Sequence, residues 1–121
     1  MKYNKESILK QYDESGNIML KATLEGDFKS NNREGKKLVK YFRLFEKDRE
    51  LAKDCIVEML NSPNVVVRTK AAAYCLALDI DTEIAVKELE KISENNDNGI
   101  FAFNAKMTLE VWLKQGYLRI Y

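Results

Sequence analysis

One proline and five glycines are the only such breaks in this chain of 121 residues, and no long stretch alternates apolar with polar residues as a half-buried strand does. Helix is therefore the default between the breaks. Apolar residues recur at helical spacing: Ile8, Tyr12, Met19 and Leu20; then Leu38, Phe42 and Phe45; then Leu51, Cys55, Ile56, Met59 and Leu60. We read six helical stretches, at about 4–25, 28–47, 48–61, 62–78, 82–95 and 100–115, with the usual end error of ~2–4 residues. Gly26 and Gly116 are placed to end helices, and Gly16 is a candidate kink inside the first. Asp27 is placed to accept the free amides that open the second helix, and Asp81 or Thr82 those of the fifth. Pro63 has no amide to donate and marks the corner before the fourth.

The fourth stretch poses a question, because "SPNVVVRTKAAAYCLAL" puts alanines where a core helix would carry leucines. Small side chains let neighbouring helix axes approach closely, so the alanines predict a crowded crossing. A spacing supports this. Ile56 and Leu89, Val67 and Ile100, Ala72 and Ala105, and Leu76 and Leu109 are each 33 residues apart. A period of this size marks stacked helical pairs that bury their faces against one another. The length suits one domain. It divides into a long N-terminal hairpin (1–47), two repeat-like hairpins (48–116) and a tail (117–121). The expected fold is all-α, a right-handed α-α superhelix of about six helices.

The stretch "IVEMLNSPNVVVRTKAAAYCLAL" resembles a HEAT or armadillo repeat unit in its Leu60 helix end, its Asn-Ser-Pro-Asn corner, and Val67-Arg68 followed by Ala71-Ala72 and Leu76. Together with "GDFKSNN" and "GIFAFNAKMTLEVWLKQGYL", nearly the whole chain is similar to a small bacterial family of HEAT-like proteins of unknown function. The resemblance implies a superhelical fold and no established catalytic residues. Members of such short families are often encoded beside polymorphic toxins, where small helical proteins act as immunity partners.

Composition removes several chemistries. Histidine is absent, which excludes Ser-His-Asp and Cys-His nucleophile systems and the commonest transition-metal ligand. Cys55 and Cys75 sit in helical patterns without metal-ligand spacing and read as buried small hydrophobes in a reducing cytosol. The three carboxylates of "DIDTE" lack the length and glycine of a calcium loop, so a cap is the better reading. No cofactor, metal or small-molecule substrate is expected, nor an enzyme. No apolar run reaches the ~20 residues of a membrane span, and charges interrupt "MKYNKESILKQY" where a signal core would be. The expected location is the cytoplasm.

Net charge is +1, yet it is unevenly spread. From Lys29 to Arg43 there are six basic residues and one acid, Glu34; from Asp79 to Asp97 there are seven acids and two lysines. On a helical wheel Lys29, Arg33, Lys36, Lys40, Arg43 and Lys47 fall within about 40° of one line, opposite Leu38, Phe42 and Phe45. The plain reading is a solvated face. The functional reading is a docking stripe for an anion: an acidic protein first, a phosphate backbone second. The stripe also has a candidate partner within the chain, in Glu83, Glu88, Glu90 and Glu94. Arg68, at a helix start where a cation is unfavourable, calls for a bond to the 61–64 corner or to a neighbouring carboxylate. Trp112 reads as a lid on the core. Tyr117 and Tyr121, beyond the last helix stop, read as an exposed aromatic tail for a partner.

Overall fold

The computed structural model describes residues 4–121, and among these there are six α-helices and no strand. They are α1 (Lys5–Glu25), α2 (Phe28–Lys47), α3 (Arg49–Met59), α4 (Val65–Leu78), α5 (Thr82–Glu94) and α6 (Ile100–Gln115). A short 3-10 turn, Asn96–Asn98, leads into α6.

Local chemistry explains most of the ends. Asn4, Asp27, Asp48 and Asn64 each accept a hydrogen bond from a backbone amide in the first turn of α1, α2, α3 and α4. Gly26 and Gly116 adopt the left-handed conformation that closes α1 and α6. The corner before α5 is built differently. Asp79 and Asp81 both have positive φ, and Asp81 occupies the cap position without making a side-chain cap bond. The expected Asp81 cap is thus a corner residue that turns the backbone.

Gly16 does not break α1, which runs through it unbroken. Its role is contact. A Cβ at Gly16 would stand 2.5 Å from Val67 Cγ2 and 3.3 Å from Asn64 Nδ2, so only glycine lets α4 start this close to α1. The alanines continue the crossing, with Ala71 and Ala72 fully buried on α4. α4 is packed on α1, α3, α5 and α6, and a helix surrounded on so many sides needs small residues where its neighbours cross it.

The core is continuous from α1 to α6. Its aromatic part lies where α1, α2 and α4 meet. Tyr12 packs against Tyr41, Phe45 and Tyr74, and Phe42 meets Tyr74 with ring centroids 4.8 Å apart. The Tyr12 and Tyr74 hydroxyls are 2.8 Å apart and satisfy each other inside the core. Cys55 and Cys75 are buried free thiols; burial raises them to about 11 and about 12, so they are packing groups, not nucleophiles. The 33-residue spacing carries into burial for Ile56 and Leu89 and for Ala72 and Ala105, all buried. It fails for one pair: Val67 is 1% exposed and Ile100 is 49% exposed.

Candidate binding surface

α2 separates its charges. Of its two acids, Glu46 lies near its end and off the cationic line, and Glu34 points inward and is 1% exposed. Ser15 of α1 donates to one carboxylate oxygen at 2.9 Å, while Arg33 and Lys37 reach the other at 3.2 and 3.0 Å. Gln11 supports Ser15 from one turn away at 2.7 Å. Burial pushes the Glu34 carboxyl up, but the bonds from Lys37, Ser15 and Arg33 outweigh it and hold the group below its ordinary value. Glu34 is therefore an anion that fastens α2 to α1. All six residues of the predicted stripe, Lys29, Arg33, Lys36, Lys40, Arg43 and Lys47, are exposed on the outer side of α2. They are not equivalent. Arg33 is engaged with Glu34, Lys40 lies over the Tyr41 ring at 5.0 Å, and Arg43 lies over the Tyr121 ring at 4.7 Å. The side chains of Lys29, Lys36 and Lys47 have no partner among the described residues.

The acidic residues of α5 are not the stripe's counterpart. α5 packs on α4 and α6, and Glu88 meets Arg68 at 3.8 Å. Arg68 also donates to the Ser62 carbonyl at 2.8 Å, so it holds both the corner and α5, as its position requires.

The tail departs from expectation. Tyr117 is exposed, but Tyr121 folds back onto α2. Its hydroxyl donates to Glu46 at 2.7 Å, and its ring stands edge-on to Phe42 at 5.9 Å, under Arg43. The residue is still 57% exposed. Leu118 and Ile120 pack against the core, so the tail is part of the fold. Trp112 is half-buried against the core and also borders a shallow hollow with α5.

Sequence reasoning missed a trough. Two adjoining hollows, of about 350 and about 190 Å³, share Met19, Asn31 and Lys70. The larger is bounded by Lys36 of α2, Tyr74 of α4 and Ile120 of the tail; the smaller extends to Phe101 and Asn104 of α6. Among the described residues no acid lines either one. Lys70, at their junction, has no hydrogen-bond or ion-pair partner among the described residues, and burial lowers its pKa. The signal in the sequence was a lysine inside the apolar run from Val65 to Leu78, where the only other charge is Arg68.

No group of three metal-capable side chains occurs among the described residues, and no helix there is long and apolar enough to cross a membrane. Comparison with known families, characterised proteins and solved structures returns no match.

Proposed function

We propose that this chain is a non-catalytic, cytoplasmic binding domain whose partner is another protein with an acidic surface. In its specific form the proposal is an immunity- or antitoxin-type partner of a bacterial toxin, on a right-handed superhelix of HEAT- or armadillo-like hairpins. The observation that carries it is the charge separation on α2. Of its two acids, Glu34 is buried against α1 and Glu46 lies off the outer line, whose six residues are all cationic. Like charges at i, i+4 cost a helix a few tenths of a kcal/mol each, a penalty that an anionic partner turns into attraction. The matched burial of Ile56 with Leu89 and of Ala72 with Ala105 supports the repeat reading. The resemblance noted in the sequence supports the immunity reading. A phosphate backbone is the second reading, since the same line of cations would track one.

The test replaces Lys29, Lys36 and Lys47 by Glu, which leaves Glu34 and the ring contacts of Lys40 and Arg43 in place. Melting should stay nearly unchanged, because single exposed charges usually alter stability by ~0.5 kcal/mol or less. Binding to the partner captured from the native host should be lost. With that partner purified, affinity should fall only modestly with salt. A fall in log K near −0.9 per contact against log salt identifies duplex DNA instead. Unchanged binding by the triple variant leaves the line as a solvated face.

A further inference from the structure

The trough has two different rims. On the α2 side the rim is the cationic line, which enters the trough at Lys36. On the α6 side it is apolar. Asn104 lines the trough, and Ile100 and Val111 lie beside it on the helical wheel. With Phe103 and Met107 they form a stripe about 80° wide. All four are exposed, Phe103 to 60%. Four large apolar side chains on one helical line, open to water, form the kind of contiguous patch that soluble surfaces keep small unless it meets a partner.

Between the rims sits Lys70. A cation in a partly dry hollow with no carboxylate facing it is held in its less favoured environment, which agrees with the downward shift of its pKa. A carboxylate arriving from outside would remove that disadvantage. Of the other polar side chains around it, Asn31 donates to Thr23 and Thr69 to the Val65 carbonyl, and Asn104 offers a donor and an acceptor to a peptide backbone.

We propose that this trough seats one amphipathic, acidic segment of the partner protein, with its carboxylates toward Lys36 and Lys70 and its apolar side chains on the α6 stripe. The inference rests on the protein-binding reading above and adds the chemistry of the segment that is bound. A nucleic acid matches only the cationic rim, because its backbone has no apolar edge for Ile100, Phe103, Met107 and Val111. A second copy of this chain is a poorer match, because the exposed surface of α5 alternates acids with Lys87 and Lys91.

The experiment uses the full chain, labelled with nitrogen-15, and a synthetic dodecapeptide alternating glutamate with leucine. Its lysine–leucine counterpart and a single-stranded oligothymidylate serve as controls. The glutamate–leucine peptide should bind saturably at one site and shift the amide resonances of Asn31, Lys70, Asn104 and Met107. Lys70→Gln and Met107→Glu should each weaken it at least about tenfold, the loss of one well-placed contact. Lys70→Arg should retain binding, and all three variants should keep the resonance pattern of the folded parent. Equal binding of the lysine–leucine peptide, oligothymidylate shifts at the same amides, parent affinity in Lys70→Gln, or self-association blocking the α6 stripe would each overturn the proposal. The two readings fail separately. If the captured partner needs Lys29 and Lys47 but ignores Lys70 and Met107, the α2 line is the interface and the trough is not.

Discussion

α4 and α6 are written in nearly the same pattern and placed in opposite circumstances. Each carries the crossing alanine, Ala72 or Ala105, both fully buried. Each carries a β-branched residue five positions earlier, Val67 or Ile100. On α4 that residue is sealed against Gly16 of α1; on α6 the same position faces water. The difference lies in the neighbours. α4 is packed on four helices, whereas α6 packs chiefly on α5 and α4 and keeps an outer face exposed among the described residues. An apolar pattern thus states that a face is suited to being covered. It does not state what covers it, and at the end of a stack the cover need not belong to the chain.

The largest effect that tests this contrast is alkaline. Cys55, Cys75 and Tyr74, the last two on α4, have pKa values raised by burial to about 11, about 12 and about 12. Groups raised in the folded state ionise more readily in the unfolded chain, so the stability they hold is complete below about pH 9 and is lost as pH rises through 12. A pKa difference of one between folded and unfolded chain is worth about 1.4 kcal/mol; Lys70, which is lowered, acts in the opposite direction. Denaturant melts at half-unit steps above pH 8 should show a steep fall; a flat profile to pH 11 would mean α4 is not sealed.

Next in size, Val67→Ala should cost about 2 kcal/mol and Ile100→Ala no more than about 0.5 kcal/mol in the isolated protein. Equal costs in urea melts would erase the distinction between the two helices.

Smallest is Gly16→Ala. Alanine gains up to about 1 kcal/mol of helix propensity, but its Cβ meets a stiff, buried valine, and overpacking typically costs ~1–3 kcal/mol. We expect a net loss near ~1 kcal/mol that largely disappears in the Val67→Ala background. A simple sum of the two losses would show that they do not touch.

What was legible in the sequence was what local chemistry decides. The helices, the closures at Gly26 and Gly116 and the cap at Asp27 follow from residues a few positions apart. The crossing at Ala72 was legible because small residues in a core helix mark the place where another helix comes close. The rest depends on long-range geometry. Lys70 looks like any solvated lysine until Met19 and Phe101 close around it. Tyr121 looks like a loose end until Glu46, 75 residues earlier, is found beside it. Glu34 counts as one acid among cations, and only the position of Ser15 shows that it faces inward.

The paired hydroxyls of Tyr12 and Tyr74 also set an order of assembly. The two residues are 62 apart in the chain, and Tyr12 shares its site with Tyr41 and Phe45. During synthesis α1 and α2 emerge before α4 and can pair locally, since loop closure between adjacent helices is fast. Their aromatic cluster stays open on one side, with a phenol lacking its partner, until residue 74 has left the ribosome. At ~5–20 residues per second the wait is a few seconds, during which an apolar pocket is presented to the cell. The α1–α2 hairpin is thus made before α4 and completed only after it.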